Sequence, residues 1–515
     1  MRRQDHSGYL LAHDVGTTGD KATLFDLEGG LVASVLKEYE THHPKPLWAE
    51  QDPEDWWRAF VESTRELLKR SGVDPGEVKA ISFSGQMMGC LPVDKSGKPL
   101  RRSIIWMDQR SVKQADLISE RIGFKEFYEV VGNRISPTYT ISKILWVKEN
   151  EPETYEKAHK FLQAKDYIVF RLTGSYATDY SDASLAGLMD VRRKTWAYEV
   201  LEELGIDLDK LPELHPSTAV EGELDSRTAE VLGLRAGIPV VLGGGDGACA
   251  AAGAGAVKLG QAYNYVGASS WISVVSDKPL IDPKMRIFNF YHLDPGWITP
   301  TGTMQTAGAS YKWLRDKICW REVEEAEKKG VDPYAIMDSE AKEVEPGAGK
   351  LVFLPYLMGE RAPWWNPNAR GVFFGLTLAH ERRNMIRAVL EGVAFNLRVI
   401  LDSLEELGVE IESIRLIGGG AKGRLWRRIM TDIYGKRVLI PRYLMEATSL
   451  GAAIAAGVGA RLYKDFSVAM KLNAVVDELN PDPSAHEKYE KLYRFFKKLY
   501  LTLEPLFNEL AEMSI

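Results

Sequence analysis

Tyr9-Leu10-Leu11-Ala12-His13-Asp14-Val15-Gly16-Thr17-Thr18-Gly19-Asp20-Lys21 is the stretch on which the reading of the fold turns. Residues 9–13 read as a short apolar strand, Gly16-Thr17-Thr18-Gly19 as a tight turn and residues 21–26 as the returning strand. Main-chain N–H groups and hydroxyls at Gly16, Thr17 and Thr18 can hydrogen-bond phosphoryl oxygens, and Lys21 adds a cation. Asp14, at a strand end, can hold the water shell of a Mg²⁺ ion. A plain hairpin turn accounts for the local pattern equally well. Outward from the hairpin, residues 31–39 add a third strand. Pro53 opens a helix with Trp56, Trp57, Phe60, Thr64, Leu67 and Leu68 on its apolar positions, and residues 78–83 resume the sheet.

The same opening recurs in the second half. Residues 261–266 form a strand, Gly267-Ala268-Ser269-Ser270 a hydroxyl-bearing turn, and residues 271–275 the return. The layout is therefore a duplicated α/β domain, divided into residues 1–256 and 257–515, with a cleft expected near the junction. Further strands are expected at 351–357 and 414–417, helices at 381–407 and 425–434, and a helical appendage from 465 to 515. Just before the junction, Gly243-Gly244-Gly245-Asp246-Gly247 follows the apolar residues 239–242. Flexible main chain thus presents one carboxylate at the C-terminal end of a strand, where α/β proteins bind ligands. Asp246 can accept a hydroxyl proton as that oxygen attacks a γ-phosphate, although an Asp-Gly turn explains the segment taken alone. Ile417-Gly418-Gly419-Gly420-Ala421-Lys422-Gly423 joins another strand to a helix and lets a flat ring or phosphate approach the main chain.

Composition narrows the function classes. A chain of 515 residues, 45% hydrophobic, exceeds one ordinary core and suits two large domains. Its 72 acidic and 65 basic residues are interspersed, and the net charge of −7 argues against nucleic acid as a partner. Cys90, Cys249 and Cys319 lack metal-ligand spacing and read as reduced thiols. His42, His43 and His380 have no spaced partner ligands. Met1–Ser7 is polar and no stretch resembles a signal or a membrane span, so a cytoplasmic location is expected.

Two longer segments carry a resemblance. Gly371-Val372-Phe373-Phe374-Gly375-Leu376 with Asn384-Met385-Ile386-Arg387-Ala388-Val389-Leu390-Glu391-Gly392 is similar to the C-terminal signature of the FGGY carbohydrate kinases. Thr140-Ile141-Ser142-Lys143-Ile144-Leu145-Trp146-Val147-Lys148-Glu149-Asn150 is similar to the N-terminal one, with Thr138 departing from the usual residue at its first position. Within the family, Trp48-Ala49-Glu50-Gln51-Asp52-Pro53, Gly85-Gln86-Met87, Lys165-Asp166-Tyr167 and Ser181-Asp182-Ala183 resemble segments of the xylulokinases.

The resemblance implies two actin-like (ribonuclease H-like) ATPase lobes and an ATP- and Mg²⁺-dependent kinase of a small sugar or polyol. It gives Asp246 the role of catalytic base. Asp14, Gly16, Thr17, Thr18 and Lys21 fall at the metal and phosphate end, with Asp14 on Mg²⁺ through water. Gly267, Ala268, Ser269 and Ser270 fall on the γ-phosphate side, and Gly308, Gly419, Gly420 and Ala421 by the nucleotide. Gln86, Met87, Met88, Trp106, Asp108, Asp246 and Gly247 fall around the sugar. A homodimer is the one assembly considered, with no membrane partner.

Three departures bear on the substrate. Met88 replaces a histidine of the xylulokinase pattern, Gly247 an asparagine and Met107 a polar residue. The expectation is a less polar and wider pocket, open to a linear polyol, an inositol or its ketone as alternatives to xylulose. A catalytically silent sugar sensor would have lost the base or the phosphate residues, and a chaperone-type ATPase would need a peptide-binding domain. The residues present favour neither.

Overall fold

The computed structural model describes residues 8–513, so Met1–Ser7 and the polar reading given to them lie outside the described residues. Two compact units are distinguished: Met1–Leu259, Val275–Pro300 and Glu446–Ala474 form the first, and Gly260–Val274, Thr301–Met445 and Val475–Ile515 the second.

In the first unit the hairpin is formed by Tyr9–Val15 and Gly19–Asp26, running from Tyr9 opposite Asp26 to Val15 opposite Asp20. The sheet order is Val220–Glu223, Pro239–Val241, Val78–Gly85, Tyr9–Val15, Gly19–Asp26 and Leu31–Glu38. The helix Pro53–Ser71 covers one face. Asp52 caps it by accepting from the Glu54 N–H, Pro53 stands where no donor is needed, and left-handed Gly72 ends it. Its Trp56, Phe60, Leu67 and Leu68 enter a core with Leu11, Leu24, Phe83, Tyr167 and Val240.

One register relationship positions the candidate chemistry. Ser84 is paired in parallel with Asp14 on one side and with Gly244 on the other. Asp14 and the Gly244–Gly245 strand therefore flank a single residue at the C-terminal end of the parallel strands, two inter-strand spacings or roughly 10 Å apart across the sheet. Asp246 then begins the helix Asp246–Gly253.

That helix crosses Ala447–Gly459 with no side-chain layer between them. A Cβ on Gly253 would lie 1.7 Å from Ala447 O, and one on Gly451 would lie 1.9 Å from Cys249 O. Small residues permit this main-chain approach.

The second unit is built on a sheet ordered as residues 301–304, Ser270–Val274, Ala262–Val266, Ser413–Ile417, Arg437–Pro441 and Val475–Leu479. Its hairpin pairs Ala262 with Val274 and Val266 with Ser270, repeating the first. The expected helical appendage is corrected here. Val475–Leu479 is an edge strand antiparallel to Arg437–Pro441, and the helix Pro483–Glu512 buries Tyr489, Tyr493, Phe496 and Tyr500 in the core. The strand escapes recognition because its exposed, charged sequence is what a protected sheet edge requires. Trp364 packs its loop: its indole N–H donates to the Tyr356 hydroxyl at 2.9 Å and its ring stacks on Tyr500.

Candidate active site

The turn of the first hairpin is closed by the Gly16 N–H, which lies 3.0 Å from both Asp14 O and Gly19 O. Thr18 is exposed, and Asp14, Gly16, Thr17 and Lys21 are half-buried, with Lys21 paired across the hairpin to Asp14 in register. Among the described residues no hydrogen bond is made to the Asp14 carboxylate. Thr17 is tied from two directions, because Trp106 Nε1 donates to its hydroxyl at 2.8 Å and Gln51 Nε2 to its carbonyl at 2.7 Å.

Asp246 heads its helix, and the Gly247 N–H donates to its Oδ1 at 2.7 Å. Burial and the negative charge of Asp14 push its carboxyl up to about 7, against the opposing Gly247 hydrogen bond. The main chain before it needs glycine: Gly243 has φ of +70° and a Cβ there would meet Phe83 O at 2.0 Å. The approach is fixed from the side by Ser181, whose hydroxyl accepts from the Gly245 N–H at 2.9 Å and donates to Asp179 Oδ2 at 2.6 Å. Asp179 belongs to a buried charge cluster in which Lys165 Nζ lies 2.6 Å from Asp166, 3.0 Å from Asp179 and 3.1 Å from Asp182. Sequence reasoning placed Lys165, Asp166, Ser181 and Asp182 in resembling segments but gave them no role. Their connection to Asp246 runs through space, with no signal in spacing.

Two loops of the same unit carry the candidate sugar residues. Gln86 Nε2 donates to Gln51 Oε1 at 2.7 Å and to Gly16 O at 3.2 Å, while its own buried Oε1 has no partner among the described residues. Met87 packs on the main chain before Asp246, with its Sδ and Cε 2.5 Å from where a Cβ on Gly245 would stand. Met88 is half-buried and has φ of +64°.

Asp108 is wholly buried and its carboxylate is occupied. It accepts from the Ala49 N–H at 2.5 Å and from the Arg110 guanidinium at 2.8 Å and 2.9 Å. Asp108 therefore shapes its loop and offers no free oxygen. Arg110 also pairs with Glu50 at 2.7 Å.

The expectation of a wider pocket at Gly247 is corrected. A Cβ there would stand 2.9 Å from Phe290 Cζ, so an aromatic ring fills the space beside Asp246. Phe290 lies on the strand Phe288–Tyr291, far from Gly247 in sequence.

Within the second unit the expected nucleotide residues converge on one sheet edge. The Gly308 N–H donates to Gly267 O at 2.9 Å, and the Ala307 and Ala309 N–H groups both donate to Ala268 O, at 2.9 Å and 3.0 Å. A Cβ on Gly308 would lie 2.4 Å from Gly267 O, and one on Gly420 2.4 Å from Val266 Cγ1. Gly419 is exposed with open space around its Cα, whereas Ala421 is wholly buried. Ala268 is exposed and Ser269 half-buried. The buried Ser270 hydroxyl donates to Tyr265 O at 2.6 Å and accepts from Asn264 Nδ2 at 2.9 Å, so it is committed to the hairpin. The C-terminal signature proves architectural: Arg387 Nε donates to Glu391 at 2.7 Å, and both side chains bond the Tyr489 hydroxyl at 2.7 Å.

Comparison with known proteins matches residues 9–253 to the N-terminal domain, and residues 262–460 to the C-terminal domain, described for the FGGY family of carbohydrate kinases. A gluconokinase of Bacillus licheniformis is 34% identical over 506 residues, covering 98% of either chain. A xylulose kinase of Escherichia coli K12 is 33% identical over 493 residues, 96% of this chain and 99% of the relative. The crystal structure of a ligand-bound xylulose kinase from Lactobacillus acidophilus superposes with a TM-score of 0.90 at 29% identity, covering 98% of this chain and 100% of that one.

Proposed function

The chain belongs to the FGGY family of carbohydrate kinases and is a sugar-phosphorylating enzyme, and from that premise we propose that it transfers the γ-phosphoryl group of ATP to a hydroxyl of a neutral sugar or polyol with Asp246 as base. The observation that carries the base assignment is the Asp246 carboxyl itself, at the sheet edge beside Asp14 and raised to about 7. A base poised near the working pH combines adequate ionisation with driving force for proton transfer. Asp246 takes the acceptor's hydroxyl proton as the oxygen–phosphorus bond forms and the bond to the ADP oxygen breaks.

Asp14, with no hydrogen bond to its carboxylate among the described residues, and the hydroxyls of Thr17 and Thr18 form an all-oxygen donor set suited to a hard divalent ion. Such an ion neutralises phosphate charge when bound. Gly16 and Lys21 we assign to the phosphates from the first unit. From the second we assign Gly267, Ala268, Ser269, Gly308, Gly419, Gly420 and Ala421 to the nucleotide. Ser270 and Asp108 are supporting residues. The family matches, ending at 253 and starting at 262, support a domain boundary near 256. No helix among the described residues is long and apolar enough to cross a membrane, in keeping with the cytoplasmic location we infer.

The choice of a neutral acceptor rests on the cations near its loops. Arg110 is paired with Asp108 and Glu50, Lys165 with three aspartates, and Lys143 with two main-chain carbonyls. None of these three is left for a sugar carboxylate, while Gln86 Oε1, without a partner among the described residues, suits a hydroxyl donor. The 34% identity to a gluconokinase favours gluconate as the second reading. Acceptor-dependent ADP release with Mg-ATP, measured on D-xylulose, D-gluconate, glycerol, inositols and inososes, tests both. Greater kcat/KM on gluconate than on every neutral acceptor would reverse the preference, and no turnover with any of them would refute the assignment of substrate class.

A further inference from the structure

Lys143 lies in the helix Thr140–Asn150 and is wholly buried, with no carboxylate at ion-pair distance among the described residues. Its Nζ donates instead to two main-chain carbonyls, Met88 O at 2.7 Å and Ile105 O at 2.8 Å. Met88 is a non-glycine residue at φ of +64°, a conformation that persists only where its surroundings impose it. Ile105 precedes Trp106, whose indole reaches Thr17 in the phosphate turn. From the same helix, the Thr140 hydroxyl donates to Gly89 O at 3.0 Å, and Gln163 Oε1 accepts from the Gly89 N–H at 3.2 Å. The two loops are joined to each other where Cys90 and Ile104 exchange main-chain hydrogen bonds.

We propose that Lys143 is a positioning residue that locks loops 86–90 and 104–108 into one preformed acceptor surface, so that its loss impairs sugar recognition and leaves nucleotide recognition intact. The proposal rests on the reading of those loops as the acceptor's. A buried amine bonded only to carbonyls, without a counter-charge, is expensive unless it holds something in place. Burial also pushes the Lys143 amine down to about 7, with Cys90, Asp108 and Arg110 as the ionisable groups acting on it. A neutral amine carries one N–H for each of the two carbonyls it meets.

The test replaces Lys143 by Met and by Gln in the full chain. Lys143→Met should raise KM for the better of D-xylulose and D-gluconate by about tenfold or more, with the ADP dissociation constant in the absence of sugar held within about twofold. Amide exchange over 87–90 and 104–107 should quicken by about tenfold or more. Lys143→Gln, whose amide has two N–H groups, should recover part of both losses and supplies the reading if the Met variant does not fold. Ile144→Ala, which loosens the same helix without touching these carbonyls, should lower thermal stability and move neither quantity. Unchanged sugar KM and unchanged exchange in a folded variant, or equal losses of sugar and ADP affinity, would overturn the proposal. Should the wild-type protein phosphorylate neither sugar, KM is read on whichever of glycerol, the inositols and the inososes turns over; if none does, the acceptor reading fails and exchange alone decides whether Lys143 holds the loops.

Discussion

Phe290 stands where a side chain on Gly247 would have to go: its Cζ lies 2.9 Å from the ideal Cβ position of the residue next to Asp246. The pair is complementary, with a glycine accepting a ring that is almost wholly buried. An asparagine introduced at 247 must displace this ring.

Gly247→Asn should therefore lose about 1–3 kcal/mol of stability, as overpacked core substitutions do, and lose acceptor kcat/KM by about tenfold or more. Phe290→Leu with Gly247→Asn should be more stable and more active than the sum of the single changes predicts. A double-mutant cycle on denaturation midpoint and on kcat/KM reads this coupling, and strict additivity would show that the ring and the glycine are independent.

Asp246→Asn should lower kcat by about 10²-fold or more while ADP binding is kept. In the wild-type protein kcat/KM should fall as pH drops through about 7, the value to which burial and Asp14 raise Asp246, because only the ionised carboxylate accepts a proton. Stability has the opposite slope: the native state holds this proton more tightly than the unfolded chain, so its contribution is lost as pH rises through about 7. At pH 8 the Asn variant should then have the higher denaturation midpoint, and a midpoint below that of the wild type would contradict the shift.

Asp14→Asn should reduce kcat by about 10²-fold or more and change the Mg²⁺ dependence. It should also move the acid limb of the residual activity to lower pH, because the charge of Asp14 is one cause of the raised Asp246 carboxyl. Rate profiles across pH at saturating Mg-ATP distinguish this from general damage, which would leave the limb in place.

Ser181→Ala strips the Gly245 N–H of its acceptor. A buried donor left unpaired costs about 1–3 kcal/mol, and we expect kcat to fall by about tenfold with KM for ATP unchanged. Ser181→Thr should retain most of the rate. Equal losses in both variants would mean that bulk at 181, and not the hydrogen bond, governs Asp246.

The parts that sequence reveals are those whose cause is local. The glycine turn at 16–19, the Asp52-Pro53 helix start and the recurrence of a hairpin at 262–274 each declare themselves within a few residues. Asp246 stands out in sequence because glycines surround one carboxylate at a strand end, a pattern an Asp-Gly turn also explains. What supports it is not, since Ser181 and Phe290 reach it from distant segments by tertiary contact. Asp108, which the resemblance sets by the sugar, differs for a related reason: Arg110 two residues on claims its oxygens. The segment 446–474 joins the first unit although it lies deep in the second half of the chain, and proximity along the chain carries no sign of that return.

The crossing of Asp246–Gly253 with Ala447–Gly459 divides reactivity from taste. Because the two helices meet carbonyl to Cα at Gly253 and Gly451, the far end of the helix that begins at Asp246 is seated by main chain, a ruler independent of the Ser181 and Met87 contacts at its start. The loops at 86–90 and 104–108 hang from Lys143 and meet the Asp246 segment at Met87, so exchanges elsewhere in them leave that seat in place. A single methyl at Gly451, remote from either ligand, should in contrast blunt turnover on every acceptor alike.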